Sequence, residues 1–420
     1  MRRWAKHRLR GFAQAVLFVL FSALGIGARL LRWERPLGTL DPSEVRRILV
    51  IRLDLLGDMV NSMTAVAAMH DRFPDARISM LTLPHTAVIP RQFPYVYEVL
   101  TLDTNLIRSP RNLLRINTYA QFIHMGITLR RRRFDLCLSL FGLMASIWAF
   151  ISGARQRIGY ARESYPYMFT DPLPGRRFDR RQHEVRWDLD LAAAAGADAR
   201  WRTPTLRVLP DATGPMATRL AALGMGPGDR LVGIHGGAVN GSAKRWPAGH
   251  WAALADRLIA TQGVKVVLTG SASERPIAEA IRSRMRQSPL VLTGGTDIDE
   301  LLAVLARCDL VISGDSGPLH MAVALGRPTV SIYGPTDPAI YGPTPVPGQQ
   351  AVVLRRGLAC SPCYNLLATA ECPHGQPSCM IDVTVGRVYA AAAQLLQAPV
   401  AGPDSQLPME GSVVRLRPGV

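Results

Sequence analysis

Apolar residues along the chain fall into short unbroken runs, separated by stretches where they recur every three or four positions. The first run is Arg47-Ile-Leu-Val-Ile-Arg52, followed by a turn at 53–57 and a helically spaced stretch from Asp58 to His70. Short apolar runs bounded by turn residues predict buried strands, and a 3.6-residue recurrence predicts helices. By this reading strands lie at 77–83, 95–102 and 134–140, with a helix from about 113 to 131 and another at 183–195. A stretch rich in Pro and Gly, 204–227, interrupts the pattern, which then starts again. Strands are predicted at 230–235, 264–268, 310–312 and 328–333, with helices at 248–261, 274–285, 297–308 and 320–325. Strands alternating with helices predict an α/β fold with parallel sheets covered on both faces. Two such sets predict two Rossmann-like domains facing an interdomain cleft, where small-molecule sites tend to fall.

The same pattern sets the domain boundaries: a first segment 1–40, a domain 41–203, a linker 204–227, a second domain 228–397 and a tail 398–420. The first segment is basic, then apolar. Arg2, Arg3, Lys6, Arg8 and Arg10 precede residues 11–28, which carry no charge. As a helix those residues would span roughly 27 Å, at the short limit for a bilayer. Arg29, Arg32 and Arg35 follow, so charge on both flanks leaves an orientation open. A cleaved signal peptide and a helix packed on the protein are the alternatives. Membrane association through this segment is the reading taken, since basic residues beside an apolar stretch suit an anionic membrane surface.

Composition changes the picture in one respect. Forty-nine Lys and Arg against 32 Asp and Glu give a formal charge of +17, which favours acidic partners: membrane surfaces, nucleic acid or phosphorylated substrates. No RNA-binding aromatic motif and no zinc-finger spacing is present, so nucleic acid is set aside. Almost all the basic charge is arginine; lysine occurs only at Lys6, Lys244 and Lys265. A lysine where arginine is the default marks a place wanting a compact point charge.

The chemistry gathers at strand ends. Asp309-Leu-Val-Ile-Ser-Gly-Asp-Ser-Gly-Pro-Leu-His320 reads as a strand, a tight turn and the start of a helix. A helix opening at the carboxyl end of a strand points backbone N–H groups into the crevice, where phosphates bind. Asp315, Ser316 and His320 at that mouth suit a nucleotide; an Asp/Ser cap with a satisfied histidine is the alternative. Gly236, Gly237 and Gly241 let backbone approach a ligand closely, and Lys244 follows them. Asp54 and Asp58 lie directly after the first strand, and Asp58 also suits a helix N-cap. The turns after Ile51 and Ile234 lack G-x-G-x-x-G, which argues against a dinucleotide-dependent dehydrogenase.

Leu53-Asp-Leu-Leu-Gly-Asp58, Gly236-Gly-Ala238 with Lys244-Arg-Trp-Pro247, and Gly314-Asp-Ser-Gly-Pro-Leu-His320 leading to Tyr333-Gly-Pro-Thr-Asp-Pro338 resemble glycosyltransferase family 9. These are the ADP-heptose:lipopolysaccharide heptosyltransferases and their relatives, and the resemblance spans about 46–397. It implies a GT-B fold and transfer of a sugar with inversion. It also implies that Asp58 is the base on the acceptor hydroxyl and that Lys244 holds the donor diphosphate. Asp315, Ser316 and Gly317 become the donor-binding turn, with His320 in its helix, and Glu274 holds the nucleotide ribose. The implied donor is an ADP-sugar with no other cofactor, and the implied acceptor a lipopolysaccharide-type or other lipid-linked glycan. The implied location is the cytoplasmic face of the bacterial inner membrane. The loop 236–244 is longer than in the core heptosyltransferases, which leaves the donor sugar and the acceptor open. The alternatives are a GT-B transferase using another nucleotide sugar, or a non-catalytic nucleotide-sugar-binding protein.

Cys360, Cys363, Cys372 and Cys379 follow the spacing C-x₂-C-x₈-C-x₆-C. Structural thiols, a metal site and disulfides are all compatible with it, and a cytosolic location disfavours disulfides. Many members of the resembled family carry a similar segment. These four are the weak candidates for metal ligands; no dedicated metal site is expected.

Overall fold

The computed structural model describes residues 40–104, 116–163, 166–175, 177, 180–239, 241–346, 348–364 and 371–397. The basic and apolar segment 1–39 and the tail 398–420 lie outside them. Among the described residues no helix is long and apolar enough to cross a membrane.

Contacts divide the chain into two compact units. The first holds 62–180 and 185–201 with the chain up to Asp54; the second holds the chain from Arg202 onward together with Leu55–Asn61 and Arg181–Glu184. The division is therefore finer than a single cut near residue 203, because two short pieces of the first half cluster with the second.

The first half of the chain runs β1 (Arg47–Arg52), α1 (Leu56–Arg72), β2 (Arg77–Thr82), β3 (Val96–Thr101), α2 (Ile116–Arg132), β4 (Leu136–Ser139), α3 (Gly142–Ser152), β5 (Gln156–Tyr160), β6 (Asp171–Leu173) and α4 (Glu184–Ala194), the first turn of α1 and the first residue of α4 clustering with the second unit. Its six strands stand in the order β3-β2-β1-β4-β5-β6, all parallel. β1 and β2 are buried in five of six positions and β4 in all four, as a sheet covered on both faces requires. Leu49, Ile51, Leu81, Leu129, Phe134, Cys137 and Trp148 form the core between this sheet and α2 and α3.

The second unit follows with α5 (Pro210–Ala222), β7 (Leu231–His235), α6 (Ala248–Gln262), β8 (Lys265–Leu268), α7 (Arg275–Arg282), β9 (Leu290–Val291), α8 (Ile298–Arg307), β10 (Leu310–Gly314), α9 (Gly317–Ala324), β11 (Thr329–Tyr333), β12 (Ala351–Arg355) and α10 (Val385–Gln397). Its strands stand in the order β12-β11-β10-β7-β8-β9, again all parallel. Trp246, Trp251, Leu258, Ile312, Val330, Ile332 and Leu395 anchor its core. Each fully buried apolar side chain of this size contributes about 1.5–3 kcal/mol, so both sheets are rigid platforms for the loops at their ends.

The structure differs from the sequence reading in several elements. The stretch 204–227, expected as a linker, contains α5, which packs on α8 and buries Met216 and Leu220. Pro210 suits the first turn of that helix, and burial of its apolar stripe outweighs Pro215 inside it. Helix α3 and strands β5, β6, β9 and β12 were absent from the pattern. β9 and β6 have two and three residues, too short to show a period, and α3 is apolar on most faces.

Candidate active site

The second sheet reverses direction between β7 and β10. The chain builds from β7 out to β9 on one side, then returns to begin β10 on the other and builds out to β12. Loops leaving neighbouring strands at such a reversal diverge and open a crevice at the carboxyl ends. The two loops here carry Lys244 and Asp315. Lys244 Nζ lies 2.7 Å from Asp315 Oδ2, with the side chains 11% and 12% exposed. A charge-assisted hydrogen bond of this length is among the stronger ones proteins make.

The residues around Lys244 explain how it is held. It ends the short helical turn Ser242–Lys244. Two residues on, the Trp246 indole N–H donates to the Val383 carbonyl at 2.8 Å, and its ring meets Trp251 edge-on at 4.9 Å. On the open side the ammonium lies 5.1 Å from the centre of the Tyr364 ring, a cation–π distance.

Asp315 is followed by Ser316, the extended N-cap residue of α9. Its hydroxyl makes no capping bond and is shared instead with Ser313 Oγ at 2.7 Å. A helix start that its own side chain leaves uncapped is a ready anion site. Gly317 opens the helix, and a Cβ there would stand 3.1 Å from Leu56 Cβ. A Cβ on Gly57 would stand 2.8 Å from His320 Cδ2. Both contacts lie within the second unit, to which Leu55–Asn61 belongs. The two glycines thus let the start of α1 rest on the start of α9, which carries Asp58 to the donor turn.

His320 is buried, and its Nδ1 has no hydrogen-bond partner among the described residues. Burial lowers its pKa to about 4, with Asp315 opposing that shift and His183 and Lys244 adding to it. It is therefore a neutral ring near pH 7, packed against the Gly57 backbone.

Glu274 stands at the next strand end, after β8. One carboxylate oxygen accepts from the Ser271 N–H at 2.7 Å in a capping box, a structural task of its own. The other faces His235 Nε2 at 3.6 Å and lies where a Cβ on Gly237 would stand, so any larger residue there would displace this carboxylate. Burial lowers the pKa of His235, and the Glu274 carboxylate opposes that shift.

Lys244, Asp315, Ser316, Gly317 and His320 thus meet at one turn, Asp58 is brought beside it, and Glu274 lies two strands from Asp315 across β7. Sequence reasoning passed over several neighbours. The Tyr341 hydroxyl is pushed above its usual range by burial first, then by the Glu184 and Asp58 carboxylates, with Tyr364 and Asp315 adding to it. Arg181 Nε donates to Asp337 at 2.6 Å, and His183 Nε2 lies 3.0 Å from the Gly342 carbonyl, so 181–184 is tied to the turn after β11. The one available signal was Tyr333-Gly-Pro-Thr-Asp-Pro338, whose Asp337 accepts from Arg181.

Among the described residues no group of three or more His, Cys, Asp or Glu could hold an ion, and all six cysteines are free. Cys379 is buried and its thiol is pushed up to about 11, by burial first and then by Cys363, Cys372 and Cys360.

The sequence profile of glycosyltransferase family 9 (heptosyltransferase) matches residues 123–374, more than half of the chain. The lipooligosaccharide heptosyltransferase 2 of Haemophilus influenzae is 28% identical over 73% of this chain and 88% of its own. A structure of the Escherichia coli ADP-heptose LPS heptosyltransferase II superposes with a TM-score of 0.65 at 26% identity, covering 83% of this chain and 98% of that one. A family 9 glycosyl transferase of Veillonella parvula superposes with a TM-score of 0.71 at 22% identity, covering 85% and 98%, and so shares the two-domain α/β fold. The strand-end turns, the paired Lys244 and Asp315 and the profile match agree: this chain belongs to glycosyltransferase family 9 and is a glycosyltransferase.

Proposed function

We propose that this enzyme transfers a heptose from ADP-heptose, with inversion, to a lipopolysaccharide-type acceptor at the cytoplasmic face of the inner membrane. The carrying observation is Lys244 paired with Asp315 beside the uncapped start of α9. The donor and acceptor named for the H. influenzae and E. coli relatives support the substrate class.

In this reading the acceptor hydroxyl oxygen forms a bond to the anomeric carbon as the bond from that carbon to the diphosphate oxygen breaks. Asp58 takes the hydroxyl proton, and ADP leaves with the bonding electron pair. Attack opposite the leaving group inverts the centre. A general base contributes typically ~10²–10⁴-fold. The ammonium of Lys244 and the first N–H groups of α9 stabilise charge developing on the diphosphate. Asp315 holds the lysine in place before the donor arrives, so little reorganisation remains for the chemical step. His320, neutral and wedged on Gly57, sets the distance between base and donor turn. Glu274 keeps one oxygen for its helix cap and offers the other to the ribose hydroxyls. The apolar segment 11–28 associates with the membrane.

The test is a transfer assay with ADP-heptose and a lipid-linked acceptor, beside titrations with ADP, UDP and GDP. ADP should bind best, Asp58→Asn should abolish transfer while sparing ADP affinity, and the product anomer should be inverted. Preference for UDP or GDP would keep the fold and discard the donor. Joint loss of transfer and ADP affinity in Asp58→Asn would make Asp58 a structural cap.

A further inference from the structure

Helix α2 is apolar on two faces, and the protein covers one of them. Leu129 is fully buried, with Phe122 and Met125 packed on the same core. Ile123 and Ile127, one turn apart on the other face, are 63% and 47% exposed, and Tyr119, a further turn back, is 51% exposed. The two isoleucines border an open groove of about 530 Å³, lined also by Gly126, Arg130, Arg131 and Arg133 and by Ile151 of α3. A helix normally hides a second apolar stripe or presents it to something.

The charge beside the groove indicates what that is. Arg132 is bound bidentately by Glu98, at 2.6 Å to each oxygen. Arg130, Arg131 and Arg133 are exposed, and none has a carboxylate within ion-pair distance among the described residues. The helix dipole favours basic residues in the last turn, but it gives no reason for isoleucines in water. Arg133 lies past the helix with φ 49°, the left-handed region where glycine is the usual choice. An arginine stands there although glycine would be less strained.

We infer that the outer face of α2 is a membrane contact, its isoleucines entering the interface and Arg130, Arg131 and Arg133 meeting anionic lipid headgroups. An apolar stripe rimmed by unpaired cations on an open surface matches the layered chemistry of such a bilayer. The inference rests on the membrane location proposed above and adds a second point of attachment to segment 11–28. Two points on a folded body fix the orientation of the first unit, which one apolar segment does not.

The test is vesicle co-sedimentation of the full chain with phosphatidylglycerol-containing and with purely phosphatidylcholine vesicles. Arg130→Gln/Arg131→Gln/Arg133→Gln should lower partitioning onto anionic vesicles by ~100-fold, taking ~5-fold per arginine. It should leave the neutral vesicles nearly unchanged. The corresponding triple lysine variant should bind as the parent does. Arg133→Gly alone should raise the melting temperature while weakening anionic binding, opposite directions that a merely structural arginine would not give. A parent chain that binds anionic vesicles equally with and without the three arginines overturns this surface and leaves the membrane location standing. A parent chain that binds no vesicles overturns both. If Ile123→Ser/Ile127→Ser instead dissociates a dimer in sedimentation velocity without lipid, the face belongs to a second copy and the inference is wrong.

Discussion

The two sheets share one strand order and differ in what they place at the reversal. In the second, between β7 and β10, lies an ion pair with both side chains about a tenth exposed, Lys244 with Asp315. In the first, between β1 and β4, lies a network with no exposure at its centre. Arg52 from the end of β1 reaches Asp188 at 3.3 Å, Arg177 binds the same carboxylate, and Ser62 Oγ donates to it at 2.6 Å. Both guanidiniums also stand over Phe141, just past β4, at 5.5 and 5.3 Å. Buried charges of this kind are held by mutual satisfaction, since any one left alone carries a large desolvation cost. The same topology thus serves as a sealed joint in one unit and as an open mouth in the other. A crevice at a switch point follows from connectivity; whether it is available to a ligand follows from which side chains fill it.

The sharpest way to break the comparison is to cut each centre. Asp188→Ala removes the carboxylate shared by two buried guanidiniums, leaving Arg52 with Asp54 and Arg177 with Glu163, and should cost about 3 kcal/mol, read as an early urea transition of the first unit. Lys244→Ala should lower transfer by ~10²–10³-fold, the loss typical of one preorganised transition-state contact, and should lower stability by less than Asp188→Ala does, because Asp315, left without its ammonium, keeps some access to water. If instead Asp188→Ala folds normally and Lys244→Ala unfolds, the assignment of joint and mouth is reversed.

A titration comes next. The pKa of His320 is depressed in the folded state to about 4 from an ordinary 6.5. Above pH 6.5 both states are neutral there and the full stability of the second unit is present. As the pH falls from 6.5 towards 4 the unfolded chain takes up the proton first, and stability drops by about 3 kcal/mol. His235, also depressed by burial, acts in the same direction. Denaturant midpoints followed by the fluorescence of Trp246 and Trp251 should show this slope, and His320→Leu should flatten it. An unchanged slope in that variant would remove His320 from the account.

Two glycine substitutions sharpen the picture further. Gly57→Ala would place a methyl 2.8 Å from His320 Cδ2 and should cost about 1–3 kcal/mol, with transfer falling more than ADP affinity because the start of α1 is displaced. Gly317→Ala meets Leu56 Cβ at 3.1 Å and should cost less.

Much of this was readable from the residues. Short apolar runs such as 48–51 and 310–312, rich in β-branched residues and bounded by turns, read as buried parallel strands, and glycines at strand ends announced the turns. The turn from Gly314 to His320 showed its chemistry because it is local, with strand, carboxylate, cap and helix start all within seven residues. What stayed hidden depends on distant partners. Nothing near Tyr364 says that its ring will face Lys244, and nothing near Gly57 says that His320 will fill the space a methyl would take. Helix α5 was hidden for the opposite reason: its prolines and glycine mask a stripe whose burial only the folded unit shows. Glu274 was legible as a strand-end acid, but its capping bond to Ser271 was not foreseen.

The bond from the Trp246 indole to the Val383 carbonyl has a further consequence, for the order in which the enzyme comes into being. The lysine loop is made just past the middle of the chain, but the acceptor that steadies it is made almost at the end of the described residues. Strand β10, which supplies Asp315, also follows the lysine by dozens of residues. During vectorial synthesis the loop therefore emerges without its anchor and without its counterion. A ribosome-bound chain that has not yet released Val383 lacks the acceptor for the Trp246 indole, so the lysine loop is steadied only after that residue has emerged.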